Sequence, residues 1–317
     1  MDGMLKFVNL FNVFQICMNN IKKIFSIRDL ENLSGIKAHT IRIWEKRYAL
    51  LSPERTATNI RTYSLTSLQK LLNISMLYNN GYKISKIARI AENDIPIMVK
   101  DIVAKNSVKH HAINAFKMAM INFDQSLFVT TYNGLLAERS FGEIFTEIFI
   151  PLLTELGLLW QTDTISPAHE HFITGLIKQK ILSCTDELQP HGPTRVDKVF
   201  VLFLPENEIH ELGLLYLNYE IVLKGFKSIY LGPTIPLENV QDVMGYFDNL
   251  YFLSYFTVVP TKEHIKNYIE QFNAMAQENN STSKLWVLGR QIQFLEEEPL
   301  PEGIRAFTSI KDVVDAL

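Results

Sequence analysis

Cysteine is nearly absent from this 317-residue sequence. Only Cys17 and Cys184 occur, far apart and with no His or Cys at ligand spacing. That excludes a disulfide scaffold and a thiolate zinc site, and it suits a reducing cytoplasm. Long apolar runs are missing too, since no segment holds the roughly 20 uninterrupted apolar residues that a membrane-spanning helix needs. The opening "MDGMLKFVNLFNVFQICMNN" is partly apolar but lacks a basic leader and a small-residue cleavage site. It reads as an N-terminal extension over residues 1–21, with Met18 an alternative start, and not as a secretion signal.

With 47% hydrophobic and 21% charged residues, the chain is neither disordered nor fibrous, and its length suits two or three domains. The net charge of -3 conceals an asymmetry. Residues 22–92 carry thirteen Lys and Arg against five Asp and Glu, a balance of +8, which leaves -11 on the remainder. A basic module on an acidic body is the charge layout of a polyanion-binding head with a separate regulatory or catalytic part.

The basic segment "FSIRDLENLSGIKAHTIRIWEKRY" reads as two short helices around a tight turn. Ser26 and Asp29 have the spacing of a capping box, and Gly35 suits a left-handed helix end. The second helix, from about Ala38 to Tyr48, buries Ile36, Ile41 and Trp44 and presents Lys37, His39, Thr40, Arg42, Lys46 and Arg47. A recognition helix needs this division, because it packs by one face and enters the major groove by the other. "LLSPERTATNIRTYS" then reads as a wing, with Asn59 in the hairpin turn, Arg55 and Arg61 near phosphates, and Tyr63 at the base. A merely solvated basic helix pair would leave the wing unexplained.

"IRIWEKRYALLSPERTATNIRTYS", followed by "LYNNGYKISKIARI", resembles the winged helix-turn-helix of the MerR family of transcription regulators, in the branch whose recognition helix reads W-E-x-R-Y. The resemblance implies double-stranded DNA as partner, with Lys37, Thr40, Arg42, Lys46, Arg47, Arg55 and Arg61 as contacts. Trp44 and Tyr63 fall to packing. It also implies a homo-oligomer, dimer or tetramer, on an inverted-repeat operator. The family's metal sensors need cysteines near a dimerisation helix, and there are none.

Residues 93–108 read as a linker around Pro96, and residues 109–188 as four antiparallel helices with breaks at Asp124, Ser140 and Pro167. From Val196 the pattern alternates between strand and helix. "KVFVLFLP", "KSIYLGP", "LYFLSYF", "KLWVLG" and "IRAFTS" are the continuous apolar runs of strands covered on both faces. The expected fold class is therefore multi-domain α and α/β: a winged helix-turn-helix over 22–92, a four-helix bundle, and a doubly wound, Rossmann-like parallel sheet over 196–317.

Ligands of such sheets bind at the carboxyl ends of the strands, and "ENEIHELG" follows the first strand. A histidine at a helix start is most often structural. Here Glu208 is placed to hydrogen-bond one ring nitrogen of His210 and fix the tautomer that binds metal. Gly213 would let a planar ligand approach the helix backbone.

E-x-H-x-x-G resembles the motif of cobalamin-binding domains, with Glu208 where Asp is usual. The resemblance implies His210 as lower axial ligand of cobalt, supported by Glu208. It carries Ser254 to the serine that meets the buried nucleotide tail, with Phe256 in place of the usual Leu, and Gly289 to the first of a paired glycine whose second is Arg290. In "LWQTDTISPAHEH", Trp160 with Glu170 and His171 resembles the W-x9-E-H motif of the light-sensing, cobalamin-dependent branch of MerR regulators, in which the bundle caps the adenosyl group. Packing of Trp160 and helix capping by Glu170 and His171 is the plainer reading of that triplet alone. Together the resemblances span about residues 24–317 and imply a cytoplasmic regulator, not an enzyme, controlled by adenosylcobalamin and light. Two alternatives stay open: a regulator without cofactor whose sheet domain binds a partner protein or another ligand, and a cobalamin-dependent methyltransferase or mutase module. The second would need a barrel-sized catalytic domain that the sequence does not contain.

Overall fold

Ser26 and Gly35 bracket the first helix, Ser26 by its hydroxyl and Gly35 by its freedom to turn left-handed. The computed structural model describes residues 24–317 apart from 80, 93, 97, 100–107, 163, 280–281 and 296–298. The expected extension over 1–21, with Cys17 and Met18, and most of the expected linker lie outside the described residues. The chain divides into two compact units, up to Leu176 and from Ile177 onward.

In the first unit, β1 (Ile24–Phe25) and β2 (Glu54–Arg55) flank β3 (Arg61–Ser64), all antiparallel. Helix α1 (Ile27–Ser34) starts in a complete capping box, with Asp29 N–H donating to Ser26 Oγ (3.2 Å) and Ser26 N–H to Asp29 Oδ2 (2.7 Å). It ends at Gly35, whose φ of 73° needs no Cβ relief. Helix α2 (Ala38–Tyr48) has no cap of its own at Lys37. Glu31 supplies one from α1, accepting from Ala38 N–H (3.0 Å) and Lys37 Nζ (3.1 Å). Trp44 and Ile41 are buried, and Trp44 meets Tyr78 of α3 (Leu65–Asn79) edge-on at 5.1 Å. Asn59 takes the left-handed conformation, φ 62°, at the wing turn. A short α4 (Ile84–Ile87) completes the head.

Four helical segments follow: α5 (Val108–Asn122), α6 (Gln125–Leu136), a composite third, and α9 (Pro167–Leu188). Asp124 caps α6 through Leu127 N–H (2.9 Å), and Ser140 with Glu143 forms a second capping box. The third segment runs from α7 (Phe141–Ile144) through a π-helical turn (Phe145–Phe149) into α8 (Ile150–Gln161). Pro151 has no N–H to return to the Glu147 carbonyl, so the regular ladder yields just before it. Phe116, Phe128 and Phe149 stack at the centre with ring centroids 5.0–6.2 Å apart. Burying each phenylalanine contributes about 2–3 kcal/mol of transfer free energy.

The second unit begins inside α9, where an expected boundary after residue 188 would have kept that helix whole. Lys178, in its second half, donates to Glu211 (2.5 Å). Five parallel strands are ordered β5 (Phe226–Ile235), β4 (Arg195–Pro205), β6 (Leu250–Tyr255), β7 (Lys284–Leu288) and β8 (Ile304–Phe307). Helices α10 (Leu212–Leu223), α11 (Leu237–Gln241), α12 (Ile265–Glu278) and α13 (Ile310–Ala316) connect or follow them. Phe200 to Leu204 are fully buried, as continuous apolar strands should be. From β4 the chain passes to β5 on one side and then crosses to β6 on the other. The topological switch point, where such sheets take ligands, therefore lies between the loops after β4 and β6.

Candidate DNA interface and cofactor site

The outward face of α2 carries Arg42, Lys46 and Arg47, with Lys37 just before the helix; all four are exposed, and Thr40 is half-buried. Arg55 is exposed on the wing, its Nη1 donating to Asn59 Oδ1 (2.5 Å), which stiffens the turn. Arg61, expected near phosphates, is partly exposed and pairs within the head. Its Nε donates to Glu45 of α2 (3.2 Å), and the buried Tyr63 hydroxyl donates to the other oxygen of the same carboxylate. Arg61, Tyr63 and Glu45 thus tie the wing to the recognition helix.

At the switch point of the sheet, Glu208 is fully buried and His210 has about half its side chain in solvent, 53%. His210 lies in the loop just before α10, with Nδ1 2.5 Å from Glu208 Oε1. That oxygen also accepts from the backbone N–H of Ile209 (2.9 Å) and His210 (3.0 Å). The other oxygen accepts from Val258 (2.7 Å) and Val259 (2.9 Å) in the loop after β6. Burial works to raise the Glu208 pKa, but the hydrogen bonds from His210, Val259 and Val258 outweigh it and hold the carboxyl at about 2. An ionised carboxylate only accepts, so Nδ1 must carry the proton and the lone pair of the neutral imidazole sits on Nε2. The ring is half-exposed, of fixed tautomer and backed by an anion, which is the arrangement of a metal-binding histidine. Among the described residues no group of three or more His, Cys, Asp and Glu is placed to hold a metal ion by itself. His210 is suited to be one ligand of a metal that brings its others with it.

A Cβ on Gly213 would lie 2.5 Å from Cε2 of Tyr255, so the absence of a side chain there lets that ring pack against the helix backbone. Ser254 is fully buried and donates to the Phe203 carbonyl (2.9 Å). Gly289, at φ 112°, lets the end of β7 approach the backbone of Phe256, where a Cβ would meet the carbonyl oxygen at 2.5 Å. The residues therefore fit the metal end of a corrinoid, whereas Ser254 itself has no exposed surface.

In the first unit, Trp160 is exposed (56%) in the last turn of α8. Glu170 lies in the first turn of α9 with its carboxylate 2.6 Å from Nδ1 of the exposed His171. The buried histidine here is the neighbouring His169, stacked on Phe123 at 4.8 Å, and sequence spacing alone does not separate its role from that of His171. The turn joining α8 to α9 is also bonded to the head, Asn32 Nδ2 of α1 donating to the buried Thr164 Oγ1 (3.0 Å).

Residues 25–94 match the MerR HTH family regulatory protein, and residues 112–183 match a B12 binding domain, on the helices and not the sheet. The chain is 26% identical over 226 residues to the HTH-type transcriptional repressor CarH of Myxococcus xanthus, covering 69% of this chain and 74% of that one. It is 23% identical over 219 residues to the repressor CarA of the same organism, covering 68% and 70%. The monomethylamine corrinoid protein of Methanosarcina barkeri has a similar fold, with a TM-score of 0.55 at 13% identity over 66% of this chain and 97% of that one. With the basic head, the Glu208–His210 pair and both matches in place, the chain is a DNA-binding regulator whose residues 25–94 form a MerR-type head and whose residues 112–183 belong to a B12-binding domain.

Proposed function

We propose that this regulator is controlled by adenosylcobalamin, with His210 Nε2 as the lower ligand of cobalt and Glu208 as the group that fixes its tautomer. The observation that carries the reading is the buried, fully hydrogen-bonded Glu208 beside a half-exposed His210. Trp160, Glu170 and His171 are assigned to the upper ligand, and the exposed indole supports that role. When bound, the cofactor supplies a light-labile cobalt–carbon bond, while the protein sets orientation and assembly. Lys37, Thr40, Arg42, Lys46, Arg47 and Arg55 contact the DNA, with Arg61 holding the wing. The working form is a cytoplasmic homo-oligomer, dimer or tetramer, on an inverted-repeat operator. Control by the cofactor requires that it bind one assembly more tightly than another.

The test is to load the purified protein with adenosylcobalamin in the dark, then record spectrum, size and operator binding before and after green light. The reading expects a bound corrinoid, and a change of size and DNA affinity on illumination. Absence of either change would overturn light control. A second reading, a regulator whose sheet unit takes a partner protein or another ligand, is favoured by the lack of exposed surface at Ser254. It would be established if His210→Ala altered neither corrinoid uptake nor DNA binding.

A further inference from the structure

Between the ends of β6 and β7 the sheet unit is shut. Ser254 and Phe256 each have zero exposure, and a side chain lining an empty slot wide enough for an aromatic base would be touched by water. The Phe256 ring packs edge-on against Tyr268 at 5.5 Å and joins a cluster with Phe203, Ile265 and Val287. Its backbone is closed on both sides: its N–H donates to the Leu288 carbonyl (2.7 Å) and its carbonyl accepts from Gln291 N–H (3.0 Å). Gly289 permits this contact, and the close approach is spent on backbone against backbone, leaving no gap for a ligand. The Ser254 hydroxyl is already given to the Phe203 carbonyl. Opening the region would move a buried phenylalanine into solvent and break two backbone hydrogen bonds.

We propose that this site recognises the corrin ring through His210 and does not take the nucleotide tail, Phe256 being the residue that excludes it. The inference rests on the corrinoid reading above. The tail of a bound cobalamin stays outside the sheet, so a tail-less cobinamide binds at least as well.

The experiment titrates the full chain with hydroxocobalamin and with aquohydroxocobinamide, following the cobalt spectrum as His210 replaces the lower ligand. The expected result is cobinamide binding equal to or tighter than cobalamin. Phe256→Leu should strengthen cobalamin binding selectively, by about tenfold, with circular dichroism confirming the fold. Ser254→Ala should leave both affinities unchanged. Cobalamin binding about tenfold tighter than cobinamide, together with a cobalamin-specific loss in Ser254→Ala, would overturn the inference while leaving the role of His210 intact. Binding of neither corrinoid would overturn the corrinoid reading itself, and this inference with it.

Discussion

Replacing Glu208 by glutamine changes one oxygen into a nitrogen and should cost the second unit about 3 kcal/mol. The carboxylate accepts five hydrogen bonds, from Ile209 N–H, His210 N–H and His210 Nδ1 on one oxygen and from Val258 and Val259 N–H on the other. Holding the carboxyl at about 2 instead of the ordinary 4.5 corresponds to about 3 kcal/mol of preference for the charged folded form. Glutamine keeps one acceptor and must turn its NH2 toward donors on the other side, leaving at least two buried N–H groups unmet. Urea unfolding of the corrinoid-free protein at pH 7 measures the loss. The pH dependence supplies a second arm. Because the folded pKa is depressed, the contribution is fully present above about 4.5 and is lost as pH falls toward about 2. The gap between wild type and Glu208→Gln should therefore shrink as the pH is lowered through that window. A variant within about 0.5 kcal/mol of wild type at pH 7, or a gap that ignores pH, would refute the reasoning.

The other expectations concern the head and two contacts. Arg42→Ala and Arg47→Ala should each weaken operator binding about tenfold and lower the salt slope by about one phosphate, read by fluorescence anisotropy across salt concentrations. Arg61→Ala should instead lower thermal stability by about 0.5–1 kcal/mol, as for a partly exposed pair, and keep the salt slope; a slope change without destabilisation would make it a phosphate contact after all. Gly289→Ala should cost about 2–3 kcal/mol from φ strain alone, with the Phe256 contact at 2.5 Å adding to it, so a wild-type melting temperature would contradict the geometry. Asn32→Ala should cost about 0.5–1 kcal/mol, the worth of one hydrogen bond, because the buried Thr164 hydroxyl keeps Thr162 as a partner (2.9 Å); thermal unfolding reads the loss, and a cost of several kcal/mol would contradict it.

Local rules made much of this fold readable in advance. Ser26 with Asp29, Gly35, Asn59, Asp124 and Ser140 each sit at the cap or turn that their side chains favour. The five apolar runs appear as the five parallel strands because both faces of each must be covered. His210 could be placed in its loop, and Glu208 beside it, from the i, i+2 spacing alone. What could not be read were contacts between residues distant in sequence. The Val258 and Val259 amides that ionise Glu208 lie fifty residues on, and nothing in an N–H identifies its acceptor. Glu45 was equally silent as partner of Arg61, and Tyr255 as occupant of the space at Gly213. The closure around Phe256 depends on three-dimensional packing that a Leu-to-Phe difference suggests but does not decide. The π-helical turn was foreshadowed only by Pro151, which the apolar periodicity of the segment conceals.

The central claim is that an imidazole of this chain, and not the cofactor's own base, sits on cobalt. Electron paramagnetic resonance of the reduced Co(II) form bound to the protein tests it directly, because the axial nitrogen splits the cobalt lines according to its nuclear spin. Protein made with 15N-histidine should convert the triplet from a 14N ligand into a doublet, and His210→Ala should abolish the doublet. A triplet that survives the labelling, or a doublet that survives the substitution, would contradict the account.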